Sequence, residues 1–194
     1  MNKNKLKNKK ILITGINGFI GSQLHKRLLE MNADVYGISR SCKTNNKIIK
    51  ANILDYQVIN KFIKDSNIEI CFHLASESLV EKGQINPRET FEINIEGAIN
   101  IFESARENNL ERVIISSTSH IYGKNQVPYL ESYNPKPTRP YETSKACVDL
   151  IAQSYINTYN LPVLIPRFVN IYGPGDLNFQ RLIPKTIKNV LKNY

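Results

Sequence analysis

Three glycines spaced three residues apart, Gly15, Gly18 and Gly21, place the strongest restriction on the fold of this chain. They lie between an apolar run, Ile11–Thr14, and an amphipathic helical pattern that begins at Phe19. The first glycine permits a tight turn off a strand, the second lets the backbone approach a bound group, and the third lets the helix lie close to the sheet. This arrangement predicts a parallel α/β sheet whose first turn binds phosphates at a helix N-terminus.

The rest of the chain repeats the alternation of strand and helix. Short and almost wholly apolar runs predict strands buried on both faces, at residues 11–14, 33–39, 47–50, 68–73, 112–116 and 162–167. Helical patterns separate them, at residues 19–31, 56–64, 87–108, 141–159 and 179–192. The alternation implies right-handed crossovers and a doubly wound parallel sheet of the Rossmann type.

Composition and charge narrow the class of protein. With 194 residues, of which 41% are hydrophobic and 22% charged, the chain can bury one core. Its net charge of +9 is carried by the two ends, since five lysines precede residue 11 and four basic residues follow Asp176, with no acid in either segment. A neutral middle is a poor match to a groove-binding protein, so we predict no nucleic-acid partner.

The sequence gives no sign of export or of membrane insertion. No apolar run approaches the roughly 20 residues of a membrane helix, and the basic N-terminus leads into an apolar run too short for a signal peptide. The cysteines, Cys42, Cys71 and Cys147, are widely spaced, fit a reducing compartment and offer no metal site. We therefore expect a cytoplasmic protein without bound metal or membrane contact.

The residues after the second and third strands predict how the adenosine part of a dinucleotide would bind. An acid after the second strand would bind the ribose 2′-hydroxyl and favour NAD. Ser39 and Arg40 occupy this place, and a guanidinium without a carboxylate suits the 2′-phosphate of NADP, although a surface arginine without a role is the alternative. Asn52 and Ile53 are placed to flank the adenine. The turn supplies the other predicted cofactor contacts: Gly15, Asn17, Gly18, Phe19, Ile20 and Gly21.

Three side chains form a candidate catalytic group. Tyr141 and Lys145 are four residues apart in a helical pattern, so they share one face of the helix. Thr118 comes at the end of the fifth strand, which faces the same crevice. We expect Lys145 to lower the pKa of the Tyr141 phenol by favouring the phenolate. Tyr141 could then take a proton from a substrate hydroxyl whose oxygen Thr118 holds, while hydride leaves the same carbon for a nicotinamide.

Six segments, in the order TGINGFIG, HLAS, NIEGAIN, SSTSHIYG, YETSK and RFVNIYGPGD, resemble motifs of extended short-chain dehydrogenases of the NAD-dependent epimerase/dehydratase family. The resemblance extends from residue 10 to the C-terminus. It implies an enzyme that acts on a nucleotide-activated sugar through NAD or NADP, with Thr118, Tyr141 and Lys145 as catalytic residues. It also suggests a homodimer formed by the helices at 87–108 and 141–159.

Further binding residues follow from this resemblance alone. It implies that Leu74, Ala75 and Ser76 line the nicotinamide ribose, which Lys145 also contacts. It suggests that Asn170 contacts the diphosphate of the sugar nucleotide. His73, at the end of the fourth strand, is expected to be structural.

The residues after Thr118 depart from the family pattern. Sugar 4,6-dehydratases of several types carry an acid there, whereas this chain has Ser119 and His120, which we predict to contact substrate. Loss of the acid favours an epimerase that oxidises C4 of the sugar transiently. A 4,6-dehydratase of the CDP-glucose type is the alternative, because residues 167–184 resemble such enzymes and His120 could carry the proton or could simply pack.

Length is the second departure from the family. Its members usually continue well past this length to build a substrate domain. We predict a basic tail at 1–9, a Rossmann domain at 10–169 that binds NAD or NADP, and the start of a truncated substrate-binding domain at 170–194. The chain is then a fragment, a truncated product or one of two partner chains, and a cofactor-binding remnant without turnover is a further possibility.

Overall fold

Eight β-strands lie within the residues that the computed structural model describes, which are 3–41 and 43–192. They are β1 (Lys10–Thr14), β2 (Asp34–Ser39), β3 (Ile48–Lys50), β4 (Ile70–His73), β5 (Arg112–Ile115), β6 (Ser117–Thr118), β7 (Val163–Leu164) and β8 (Arg167–Phe168). Six form one parallel sheet in the order β3-β2-β1-β4-β5-β7, and β6 pairs with β8 in a separate ribbon. The order reverses between β1 and β4, where doubly wound sheets bind ligands. The predicted α/β Rossmann sheet is confirmed.

Seven α-helices connect these strands within the same ranges. They are α1 (Phe19–Glu30), α2 (Tyr56–Ser66), α3 (Val80–Ile85), α4 (Pro87–Phe91), α5 (Gly97–Glu107), α6 (Pro140–Tyr159) and α7 (Leu182–Leu191). A π turn, Glu92–Glu96, joins α4 to α5, and short 3₁₀ turns occur at Lys3–Leu6 and Ser119–Tyr122. In the part of the chain described, no helix has the length and apolar character needed to cross a membrane.

Both faces of the sheet are covered, as the apolar strands predict. On β1, Ile11 and Ile13 pack with Leu28 of α1, whereas Leu12 packs with Phe102 of α5, and all five side chains are at most 2% exposed. Successive residues of a strand point to opposite faces, so the two groups belong to separate layers. One layer contains α1 and the other contains α2, α5 and α6.

The predicted strand at 162–167 is wrong as a single element. β7 pairs with β5, but after Pro166 the chain pairs with β6, in the register Ser117 to Arg167. Proline has no N–H to donate to a ladder, and the Pro166 carbonyl accepts a hydrogen bond of 3.0 Å from the Ser117 N–H. This change of partner puts the strand that contains Thr118 into a ribbon of its own.

The predicted helix at 87–108 is likewise interrupted. In the π turn, the buried Asn94 accepts a hydrogen bond from the Glu77 N–H at 2.8 Å, and it donates to the Glu77 carbonyl at 3.0 Å and to Ser144 Oγ at 2.9 Å. Such turns inside helices often occur at functional sites. Helix α3 was not predicted, and α7 begins at Leu182 instead of residue 179.

Part of the segment predicted as a tail, residues 1–9, folds onto the domain. Leu6 packs against the core cluster beneath α1. Lys9 Nζ lies 2.6 Å from Glu69 Oε1 and 2.5 Å from Glu111 Oε1. These contacts attach the N-terminal segment to the sheet. The predicted boundary between residues 169 and 170 stays a prediction.

Candidate active site

A cleft of about 870 Å³ opens at the carboxyl ends of the central strands. The residues predicted from the sequence to bind cofactor or substrate line it, with one exception: they are Gly15, Asn17, Gly18, Phe19, Ile20, Gly21, Ser39, Arg40, Asn52, Ile53, Leu74, Ala75, Ser76, Thr118, His120, Tyr141, Lys145 and Asn170. The exception is Ser119, which is not among the cleft-lining residues described, so its predicted substrate contact is not supported. The chain turns into a 3₁₀ segment at this residue, which ends the alternation of the strand.

The glycine turn has the shape that a pyrophosphate requires. Gly15 has a φ of +71°, and a Cβ there would lie 3.0 Å from the Ala75 backbone nitrogen. A Cβ at Gly21 would collide with the Gly15 carbonyl. Gly18 is the N-cap of α1, and among the described residues no side chain caps this helix, so its first N–H groups are available to an anion. These residues therefore fit the diphosphate of NAD or NADP.

A buried hydrogen-bond chain supports the floor of the cleft. Thr14 Oγ1 accepts hydrogen bonds from the Leu74 and Ala75 N–H groups at 3.2 and 3.1 Å. Its own proton is then left for His73 Nδ1, which lies 2.8 Å away, so His73 carries its proton on Nε2. Burial, assisted by the nearby charge of Lys145, lowers the pKa of His73 to about 3. The ring is therefore neutral, which supports the expected structural role.

The fold brings the three candidate catalytic residues together. Thr118 is the last residue of β6, and its Oγ1 accepts a hydrogen bond of 3.2 Å from the His120 N–H. Helix α6 begins at Pro140, so Tyr141 and Lys145 occupy successive turns facing β6. Thr118 and Tyr141 both line the cleft, and the Thr118 hydroxyl acts to lower the pKa of the Tyr141 phenol. Lys145, only 5% exposed, donates to the Ser116 carbonyl at 2.9 Å.

The expected effect of Lys145 on Tyr141 is wrong for this arrangement. Burial raises the pKa of Tyr141, while the Thr118 hydroxyl and the charge of Arg181 oppose that rise. Lys145 is not among the groups that shift this pKa, and its ammonium group donates to the Ser116 carbonyl. Burial also lowers the pKa of Lys145 to about 8. Arg181 is the cation whose charge lowers the pKa of the Tyr141 phenol.

A glutamate and a histidine lie beside Tyr141. Glu142 is almost fully buried, and it accepts hydrogen bonds from Thr138 and from the Arg139 guanidinium. Burial favours its protonated form, but the Thr138 N–H and Arg139 outweigh burial and hold the pKa of Glu142 below its usual value. His120 Nδ1 lies 3.6 Å from Glu142 Oε1. The carboxylate therefore faces an imidazole that lines the cleft.

The adenosine end of the cleft contains Arg40, which is exposed and makes no ion pair with any described residue. Ser39 Oγ lies 3.4 Å from Ser41 Oγ, and no carboxylate follows β2. Asn52 and the buried Ile53 line the cleft after β3, and their predicted place beside the adenine stays a prediction.

Apart from Asn170, sequence reasoning missed the contribution of the last segment to the cleft. Arg181 pairs with Asp176 at 3.2 Å, and its guanidinium lies 6.0 Å from the centre of the Phe19 ring. Gln23 of α1 donates to the Pro174 carbonyl at 3.2 Å, which holds this segment against the glycine turn. Pro174 and Asp176 belong to the RFVNIYGPGD motif and Arg181 follows it, and only this position could have indicated their role.

The chain is similar to known proteins over most of its length. The model of the NAD dependent epimerase/dehydratase family matches residues 11–194. Human dTDP-D-glucose 4,6-dehydratase is 30% identical over 201 residues, which is 95% of this chain and 57% of the human protein.

Two solved structures of similar fold have names that state different activities. The UDP-N-acetylglucosamine 4-epimerase from Methanobrevibacter ruminantium M1, in complex with UDP-N-acetylmuramic acid, has a TM-score of 0.87 at 30% identity, covering 96% of this chain and 64% of that protein. DesIV, a dTDP-glucose 4,6-dehydratase from Streptomyces venezuelae with NAD and TYD bound, has a TM-score of 0.83 at 27% identity, covering 95% and 62%. The chain thus spans less than two thirds of each of these proteins.

Proposed function

Because the chain belongs to the NAD-dependent epimerase/dehydratase family, as its motifs predicted, we propose that it acts on a nucleotide-activated sugar as an epimerase, by transient oxidation of C4. The observation that supports this most is the convergence of Thr118, Tyr141 and Lys145 on a cleft that begins at the glycine turn. The names of the human and Methanobrevibacter proteins support a sugar nucleotide as the substrate class.

Tyr141 and Thr118 have different roles at the C4 oxygen of the sugar. Tyr141 takes the proton of the C4 hydroxyl in its phenolate form, which burial makes the minor form of the side chain, and Thr118 donates a hydrogen bond to the same oxygen while charge develops on it. Bound NAD or NADP supplies a reversible hydride acceptor. Lys145 would hold the nicotinamide ribose, and with a pKa of about 8 it can exchange protons near neutral pH.

The surroundings of Thr118 support epimerisation more than loss of water. Ser119 and His120 follow it, so no carboxylate stands where dehydratases of several types carry one. Among the described residues, the carboxylates lining the cleft are Glu81 and Asp176, and Asp176 is ion-paired with Arg181. A 4,6-dehydratase remains the second candidate, because His120 lines the cleft and Glu142 faces its Nδ1.

Arg40 supports NADP over NAD as the preferred cofactor. Its guanidinium stands at the end of β2, where a 2′-phosphate would lie, and no described carboxylate neutralises it. A charged donor facing a phosphate forms a stronger hydrogen bond than a neutral pair.

The test begins with calorimetric titration of the purified protein with NAD and NADP. The protein is then incubated with UDP-, CDP-, GDP- and dTDP-sugars, with and without a supplied carboxyl-terminal domain, and the products are separated by chromatography. We expect a C4 epimer. A 4-keto-6-deoxy product would replace the epimerase by the dehydratase, and cofactor binding without turnover would favour a remnant. Failure of the folded protein to bind either cofactor would overturn the proposal.

A further inference from the structure

A buried ion pair lies behind the catalytic group. Asp149 is 0% exposed, and Arg167 meets it with two hydrogen bonds, from Nε to Oδ2 at 2.9 Å and from a terminal nitrogen to Oδ1 at 3.0 Å. Gln153 donates to Oδ1 at 3.0 Å, which leaves the carboxylate well satisfied. Breaking such a pair costs much more than forming it contributes, so its net value lies less in stability than in fixed geometry.

The pair connects the strand and the helix that carry the catalytic residues. Asp149 lies on α6, one turn beyond Lys145 and two turns beyond Tyr141. Ser117, the residue before Thr118, donates from Oγ to Asp149 Oδ2 at 3.2 Å. Arg167 is also the β8 partner of Ser117 in the β6–β8 ribbon. Helix α6 and strand β8, the two neighbours of the short strand β6, therefore meet at the Asp149 carboxylate.

Arg167 extends the connection to the segments that follow Thr118. Its second terminal nitrogen donates to Tyr122 Oη at 2.8 Å and to the Glu131 carbonyl at 3.0 Å. Tyr122 ends the 3₁₀ turn that begins immediately after Thr118. The planar guanidinium fork thus holds both ends of the Thr118 segment, a geometry that a lysine cannot reproduce.

We propose that Asp149 and Arg167 are positioning residues that hold the Thr118 hydroxyl against the Tyr141 phenol. The proposal deepens the proposed function, since the roles of Thr118 and Tyr141 rest on it. Asp149 and Arg167 are not among the described residues that line the cleft. They therefore act through β6 and α6 and not through contact with substrate.

The experiment reads the phenol itself and needs no turnover. The protein is labelled with 3-fluorotyrosine, and the Tyr141 resonance is assigned by its loss in a Tyr141→Phe variant and followed by ¹⁹F NMR as pH rises. In Ser117→Ala and Arg167→Lys, we expect the pKa of Tyr141 to rise by about 0.5 unit or more, because Thr118, whose hydroxyl lowers this pKa, is held less firmly beside the phenol. Cofactor affinity of Arg167→Lys should stay within about twofold of wild type, since Arg167 is not among the described residues that line the cleft.

The matched control is Arg106→Lys. Arg106 also meets a carboxylate through two nitrogens, at 3.2 and 2.6 Å from Glu103 Oε2, but it lies on α5 and does not line the cleft as described. We expect its Tyr141 resonance to titrate as in wild type.

Thermal unfolding shows which variants are folded, and Ser117→Ala keeps the ion pair if Arg167→Lys does not fold. An unchanged Tyr141 titration in the folded variants would overturn the proposal and leave the pair a purely structural feature. A wild-type protein that binds no cofactor would overturn the proposed function. The titration of Tyr141 would still decide whether the Asp149–Arg167 pair positions the Thr118 hydroxyl beside the Tyr141 phenol.

Discussion

At the scale of residues, Gly18 is where an added side chain would meet a bound pyrophosphate. Its φ of −73° is open to any residue, and an added Cβ would lie 3.1 Å from the Gly15 carbonyl oxygen. We expect Gly18→Val to fold and to lose measurable binding of NAD and NADP by calorimetry. Lys26→Val, on an exposed position of the same helix, is the control and should bind as wild type. Retained binding in Gly18→Val would contradict the phosphate site.

Arg40 is the residue that would separate NADP from NAD. Removing a charge-assisted hydrogen bond costs about 1.5–3 kcal/mol, so Arg40→Ala should weaken NADP binding about tenfold or more and leave NAD binding unchanged. Lys43→Ala removes an exposed positive charge nearby that does not line the cleft as described. Calorimetric titration of both variants with NAD and with NADP measures these affinities. Equal losses for NAD and NADP would show that Arg40 does not read the 2′-phosphate.

Tyr141 is expected to serve chemistry more than binding. With a carboxyl-terminal domain supplied, Tyr141→Phe should lower turnover on the order of 10² to 10⁴-fold, the usual cost of losing a general acid–base group. Cofactor affinity should be nearly intact, because the phosphates and adenine are held elsewhere in the cleft. Tyr159→Phe, at the exposed end of the same helix, is the control. Wild-type turnover in Tyr141→Phe would refute the mechanism.

The gathering of these residues could be predicted from the sequence, because the carboxyl ends of parallel strands meet at one edge. The i, i+4 spacing of Tyr141 and Lys145 likewise follows from the helix. The direction of the lysine could not be predicted, since it depends on where the Ser116 carbonyl lies. The Asp149–Arg167 pair and the effect of Arg181 on the pKa of Tyr141 also escaped prediction, because they join elements whose relative placement only packing decides.

At the scale of elements, the long periodic helices and the apolar strands were predicted within a few residues. The elements that were not predicted correctly are short, or interrupted by a local change of structure. Helix α3 has six residues, too few to show a period, and β6 and β8 have two each. The π turn around Asn94 depends on a tertiary contact with Glu77, which no local pattern records.

Helix α6 carries a lysine whose burial costs stability. The pKa of Lys145 falls from 10.5 to about 8 on folding, so between these pH values the unfolded state binds more protons and stability rises with pH. Below pH 8 the full cost remains, because the lysine is charged in both states. We expect Lys145→Met to exceed wild type by roughly 1–3 kcal/mol in free energy of unfolding at pH 7.

Denaturant titration at several pH values measures this difference. It should shrink as pH rises from 8 towards 10.5, while the variant binds cofactor more weakly at every pH. A constant difference across that range would show that the lysine is not buried as a cation.

At the scale of the whole molecule, the helices predicted to form a dimer also serve the core. Phe102, Val148 and Ala152 are at most 2% exposed and pack on the sheet, so much of the apolar pattern of α5 and α6 is explained within one chain. Leu150 and Tyr159 of α6 remain 55% and 52% exposed. A dimer through this face would therefore use the outer residues of α6.

A substitution at Leu150 tests the predicted dimer, and the same substitution at an equally exposed leucine serves as the control. If α6 packs against a second copy, Leu150→Lys would bury a charge in the interface and should convert a dimer to a monomer in light scattering at micromolar concentration. Leu29→Lys is the control, because Leu29 is 52% exposed on α1, in the opposite layer of the sheet. It should leave the dimer intact. A monomeric wild-type protein would contradict the prediction outright, and equal effects of both substitutions would move the interface away from α6.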